Sequence, residues 1–347
     1  MKKRLLAALL TAVVTATALV GCGGEKKTNN KLVISTWGLS EDLLKENIFT
    51  PFEEKYGVDV VLEVGNNSER LTKLQNNPNS NIDLMYLAES FAEQGIESDL
   101  FEKVDYSKIP NSKELIEVAK KTVDRGFGPA YTVNSIGIVV DTSAGIEVNT
   151  WEDLWKPELK GKIAIPDITT TNGPAVLAIA ADKAGVPLES DNGEAAFKEL
   201  EALKPNVVKT YSKSSDLANM FSSGEIVAAI SADFAYGTIA NVKPEAEYIV
   251  PASGTYLNFN TININKNSKN KDLAYEFINY LLSEEVQLRA AENLGDSPVN
   301  NKVVLDEAKV GNLTFGATVE NGKTIDYKFV NSKMNSWVDS WNRIMNK

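Results

Sequence analysis

The 347 residues include no histidine, and the single cysteine is Cys22. Imidazole-assisted nucleophiles and histidine metal sites are therefore excluded, and no disulfide can form within the chain. Carboxylate acid–base chemistry needs a paired acid and base in one cleft. The acidic residues show neither such a pair at meaningful spacing nor a metal-ligand cluster. What remains is non-covalent recognition. Trp37 ends the predicted strand Leu32-Val-Ile-Ser-Thr-Trp37, where a flat indole can stack on a ligand. From Thr255 onward, alternation puts Tyr256, Asn258 and Asn260 on one face and Leu257, Phe259 and Thr261 on the other. Asparagine is a poor strand former, so asparagines at alternate positions ask for a polar partner. Thr169, Thr170, Thr171 and Asn172 lead into a helix that Pro174 can open, and such an end offers free N–H groups and hydroxyls. Ser214 and Ser215, before Asp216, form a second helix start where capping competes with ligand contact. Asp233 is the carboxylate to expect against an amino or amidine group, with Phe234 and Tyr236 as a nearby aromatic wall. Trp151 with Trp155, and Met220 with Phe221, read as packing.

The elements that must position these residues alternate between strand and helix, which calls for parallel sheets with crossover helices. Strands are predicted at 32–37, 58–64 and 82–86, then at 136–140, 162–165, 207–211, 226–231 and 255–265. Ser40 is placed to cap a helix carrying Leu44, Ile48, Phe52 and Tyr56 on one face, broken or kinked at Pro51 and stopped by Gly57. Ser68 is read as the cap of the next helix, Thr150 as the cap of a short one, and helices follow at 174–183 and 192–203. A further amphipathic helix uses Leu273, Phe277, Ile278 and Leu281. Roughly 315 residues exceed one comfortable core, so two α/β lobes are expected, with ligand at the carboxyl ends of strands.

The amino terminus carries Lys2, Lys3 and Arg4, then an uncharged apolar run to Val20, then Gly21 and Cys22. A positive patch, a short apolar core and small residues describe a cleavable signal peptide over 1–21 rather than a membrane span. Leu19-Val20-Gly21-Cys22 resembles the bacterial lipobox, which implies lipidation at Cys22 and stable anchoring by acyl chains. The polar stretch 22–30 lacks periodicity and reads as a flexible tether. Losing the three leader cations leaves 33 basic against 47 acidic residues, a net charge of −14. That balance argues against nucleic acid as a partner.

Trp37, the run Thr150-Trp-Glu-Asp-Leu-Trp-Lys-Pro-Glu-Leu-Lys-Gly-Lys162, Ser223-Gly-Glu-Ile226, Ser268-Lys-Asn-Lys-Asp272, Phe277-Ile-Asn-Tyr280 and Ser297-Pro-Val-Asn300 together resemble extracellular solute-binding proteins of the spermidine/putrescine type. The likeness spans nearly the whole mature chain. It implies a two-lobed periplasmic-binding-protein fold of type II, with 31–134 and 256–302 forming one lobe and 135–255 and 303–347 the other. It also implies an interlobe cleft, crossing hinge strands and no chemistry. The implied partners are a small solute, the permease subunits of an ABC importer and, through Cys22, the extracytoplasmic membrane face, with the protein acting as a monomer without cofactor or metal. Polyamine receptors surround a dication with aromatic rings and carboxylates. Here the returning strand Tyr256-Leu-Asn-Phe-Asn260 carries no acid and the loop from Pro166 keeps only Asp167, so amides stand where carboxylates are expected. Glu89 and Asp296 are further acids near the implied cleft loops. The candidate cargo is thus a polyamine, a thiamine-type pyrimidine or an aminophosphonate. A surface receptor or adhesin on the same fold is the competing reading, and a carboxylate-dependent hydrolase a more distant one.

Overall fold

The computed structural model describes residues 30–38, 40–306 and 311–346. The expected signal peptide, Cys22 and the tether up to residue 29 lie outside them. Nine strands join in one sheet of order β2-β1-β3-β9-β4-β7-β5-β6, with β8 pairing β4. They are β1 Lys31–Thr36, β2 Asp59–Val64, β3 Leu84–Ala88, β4 Ala130–Asp141, β5 Ile163–Pro166, β6 Val207–Tyr211, β7 Ala228–Ala232, β8 Ala246–Ile249 and β9 Leu257–Ile264. β1 runs parallel to β2 and β3, and β5 parallel to β6 and β7, the arrangement that helical crossovers produce. β3 is apolar and buried throughout, β4 is buried throughout although its first half carries Thr132, Asn134 and Ser135, and the edge strand β2 is exposed or partly exposed along its whole length.

Two strands tie the halves together. The first half of β4 pairs β9 antiparallel through Ser135, and its second half, from Ile136, pairs β7 and β8. Core membership changes at the same place: Val133 belongs to an aliphatic and aromatic core built on β1, β3 and β9, and Ile136 to one built on β5 and β7. Each core is closed by helices whose apolar stripe faces it, such as Lys271–Leu281 with Ala274, Phe277, Ile278 and Leu281 buried.

Several local details differ from expectation. Pro51 sits in the first turn of the helix Thr50–Tyr56, where its missing N–H costs nothing, and the irregularity falls before it as a π-helical turn over Lys45–Phe49. Gly57 ends that helix in the left-handed conformation as expected. The cap of the next helix is Asn66, whose side chain accepts from the Glu69 N–H at 2.8 Å, rather than Ser68. Ser40 precedes its helix in a left-handed conformation and makes no side-chain cap. β4 begins six residues earlier than the apolar run at Ile136, because Tyr131, Thr132 and Asn134 are held by pairing with β9. The segment after Thr150 is a 3-10 turn, Glu152–Trp155, with Trp151 and Leu154 buried in the second core.

Candidate functional site

β1, β3, β4 and β9 lie side by side, and their ends open on a cavity of about 310 Å³, in the range of small-molecule sites. One wall is aromatic. Trp37, just past the end of β1, stands 6.1 Å from Tyr86 of β3 and 6.5 Å from Tyr131 of β4, while Tyr86 and Tyr131 are 4.6 Å apart, centroid to centroid. Arg70 braces this wall from behind. It is fully buried, its guanidinium carbon lies 5.2 Å from the Trp37 ring, and it donates to the carbonyls of Ser35 at 3.0 Å, Tyr86 at 2.6 Å and Gly65 at 2.9 Å. Burial lowers its pKa to about 10, against the weaker opposing pull of Glu63 and Glu69.

Asp296 lines the same cavity beside Tyr86 and Tyr131. Burial, with Asp233 nearby as a second negative charge, pushes its carboxyl up to about 7. Both tyrosines are held well above their ordinary range by burial, and Asp296 adds to the effect. Rings and a carboxylate that is strained in its charged form make a poor anion site and a good site for a desolvated cation, which would restore the ionised state of Asp296.

The other wall is amide. Asn258 and Asn260 of β9, Asn134 of β4 and Asn67 line it, with Thr36, Thr171 and Phe234 at its margins. Asn258 faces Asn134 in the antiparallel register. The side-chain oxygens of Asn258 and Thr36 are buried and have no hydrogen-bond partner within the protein. No lysine, arginine or other cation is among the described residues lining the cavity.

Of the residues expected at the site, Trp37, Thr171, Phe234, Asn258, Asn260 and Asp296 line this cavity together. Asp233 does not reach it directly. It is buried behind the amide wall, accepting from Asn134 Nδ2 at 3.1 Å, the Ser135 N–H at 3.2 Å, the Phe234 N–H at 2.7 Å and the Thr314 hydroxyl. Burial nevertheless raises it to about 6. Tyr256 does not line the cavity; it lies before β9 begins, at a bridge with Lys323, and donates to Asp182 at 2.9 Å. The face-sharing expected of Tyr256 with Asn258 and Asn260 stops at that irregularity. Thr169 and Thr170 bond back to Asp167 within their own turn, and Asn172 precedes the helix Gly173–Ala184 without lining the cavity. Ser214 and Ser215 open the helix Ser214–Ser222 elsewhere. Glu89 is half-buried at the start of the helix Glu89–Glu97, 3.5 Å from Arg125 and outside the cavity, with desolvation pushing it to about 7.

Tyr86, Tyr131, Asn67 and Asn134 were not anticipated. Tyr86 closes the predicted strand 82–86 just as Trp37 closes 32–37, so the rule that found Trp37 applied to it as well.

Residues 47–313 match the family described as bacterial extracellular solute-binding protein. The chain belongs to that family. Among curated relatives it is 26% identical over 319 residues to the putrescine-binding periplasmic protein PotF of Escherichia coli, covering 85% of this chain and 84% of PotF. Among solved structures, an ABC transporter protein from Clostridium perfringens is 71% identical with a TM-score of 0.85, covering 90% of this chain and 99% of that one. The spermidine/putrescine ABC transporter substrate-binding protein PotD of Streptococcus pneumoniae matches at 24% identity and a TM-score of 0.74, over 92% of this chain and all of that one, and agrees in fold. The protein is thus a solute-binding protein of ABC importers with the two-lobed type II periplasmic-binding-protein fold, and its relatives are transport binding proteins.

Proposed function

We propose that this protein is the lipid-anchored substrate-binding component of an ABC importer, which captures a small amine-bearing solute between its lobes, passes it to the membrane permease and catalyses nothing. The observation that carries the ligand class is the joint placement of Trp37, Tyr86 and Tyr131 around Asp296. A cation there gains ring contact, and its charge compensates a carboxylate that burial otherwise drives toward protonation. The cavity's lack of basic side chains among the described residues speaks against an aminophosphonate, whose anionic end would have no counter-charge. Relatives named for putrescine and spermidine support the amine class.

Lobe one comprises 31–134 and 256–302, and lobe two begins at 135. The segment after 302 stays with lobe one as far as about 322, since Val303 and Leu305 pack on Ala291 and Val319 joins the first core. Hinge bending about Ser135 and Thr255 closes the cleft. The anchor is the acylated Cys22, on the extracytoplasmic face, and the binding unit is a monomer. Detergent-extracted full-length protein, analysed by native mass spectrometry for co-purified ligand and by calorimetry against 1,4-diaminobutane, tests the reading. Metabolic labelling with a radioactive fatty acid, with Cys22→Ser as control, tests the anchor. Failure to bind any primary amine at millimolar concentration refutes the ligand class, and equal labelling of both forms refutes the anchor.

A further inference from the structure

Arg70 is fully buried, and each hydrogen bond it makes among the described residues ends on a neutral oxygen. Three of these oxygens are the carbonyls of Ser35 in β1, Tyr86 in β3 and Gly65 just after β2. One guanidinium thus ties together three parallel strands where they reach the cavity. Burying that charge costs desolvation energy that an apolar side chain would not. Two groups that line the cavity depend on it. The first is Trp37, whose ring has the guanidinium 5.2 Å from its centroid, so the face left to a solute is the opposite one.

The second is Asn67, which lies three residues before Arg70 on the helix Asn67–Asn76 and so shares its face. Asn67 Oδ1 accepts from Arg70 Nη2 at 3.3 Å and from the Ala88 N–H at 3.2 Å. Guanidinium and backbone N–H groups can only donate, so the amide cannot be turned the other way. Its NH2 makes no hydrogen bond to any described residue, and it is the end that remains for the cavity Asn67 lines.

The geometry points to Arg70 as a positioning residue that presents the open face of Trp37 and the NH2 of Asn67 in fixed form, which makes Asn67 a donor for a carbonyl, ether or hydroxyl oxygen on the solute. This rests on the amine reading proposed above and adds to the solute an acceptor, which 1,4-diaminobutane lacks.

Calorimetry of the full-length protein with 4-amino-N,N-dimethylbutanamide, whose far end only accepts, and with 1,4-diaminobutane decides it. Asn67→Asp keeps an oxygen for Arg70 and the Ala88 N–H and turns a second oxygen to the cavity in place of the NH2. Its added charge acts on both ammonium ligands, so the ratio of their affinities isolates the acceptor contact. That ratio, amide over diamine, should fall about tenfold. Arg70→Met, once shown by thermal melting to fold, should lower the ratio as well, whereas a merely structural arginine would weaken both ligands in step. The same variant should raise acrylamide quenching of Trp37 emission in the ligand-free protein, isolated by subtracting the matching Trp37→Phe form. Arg70→Lys, which keeps the charge and loses the fork, carries the same expectations should the methionine variant not fold. The inference is overturned if Asn67→Asp leaves the ratio at its wild-type value, or if the Arg70 variant leaves either the ratio or the quenching unchanged. Should neither compound bind the wild type, the amine reading fails and the acceptor assignment falls with it, while the quenching still decides whether Arg70 positions the ring.

Discussion

Replacing Asp296 by asparagine separates charge from shape at the cage. In the free protein the carboxyl is pushed to about 7, against an ordinary 3.8. An ammonium within 4–6 Å lowers a carboxyl pKa by roughly 1–3 units, so binding draws Asp296 into its ionised form and releases a proton. A group titrating near 7 is about nine-tenths ionised at pH 8 and about one-hundredth at pH 5. Apparent affinity for 1,4-diaminobutane should therefore be level above pH 8 and fall about ten- to a hundredfold by pH 5. Asp233, at about 6, titrates in the same window, so the slope belongs to the pair. Asp296→Asn keeps the volume and removes the charge. It should weaken binding at pH 8 by roughly 2–5 kcal/mol and flatten the pH profile. Its effect on the empty protein has the opposite sign. A carboxyl whose folded pKa is raised contributes stability below its unfolded pKa and loses it as pH rises through the folded value, here between about 4 and 7. The variant should therefore melt higher than wild type at pH 8 and the same at pH 4. Calorimetry in two buffers of different ionisation enthalpy counts the proton, and thermal melts with and without ligand read the two signs. A flat wild-type profile from pH 5 to pH 8, or wild-type affinity in the variant, refutes the placement of the cation at Asp296.

Trp37→Ala should weaken amine binding about tenfold or more in the same calorimetric assay, because it removes both a cage face and the ring that packs on Arg70, whereas Trp37→Phe retains most of the affinity. Arg125 pairs with the half-buried Glu89 and the buried Glu93, so Arg125→Ala should destabilise the fold by roughly 3 kcal/mol at pH 8 in a urea titration. The loss should shrink toward pH 5 as Glu89, already raised to about 7, takes up a proton. Gly173→Ala would put a Cβ 2.2 Å from the Asp167 carbonyl oxygen and 2.4 Å from the Ile168 Cα, both backbone atoms that cannot step aside. It should lower the melting temperature and, by displacing the turn that carries Thr171, the affinity as well.

The elements were largely legible because their signals are local. Apolar runs marked β1, β2, β6 and β7 to within a residue or two, and Gly57 stopped its helix as a left-handed glycine does. The site was legible only in part. Trp37, Asn258 and Asn260 could be read from strand ends and alternation, but alternation also carried Tyr256 into the cleft, whereas it lies before β9 at a bridge with Lys323 and does not line the cavity. Tyr131 and Asn134 stayed hidden because the start of β4 is polar and becomes a strand only by pairing with β9, more than a hundred residues away.

Asp233 shows the division most clearly. Its residue type and its place after a strand were enough to mark it as the carboxylate of interest, and the absence of histidine and the lone Cys22 were enough to exclude whole classes of chemistry. Only the folded chain could bring Asn134 and Thr314, 99 and 81 residues away, onto its two oxygens and seal it behind the amide wall. Composition limits which interactions a chain can make. Which of them face the solute depends on long-range pairing and burial, since these decide what each polar group has already spent on the protein itself.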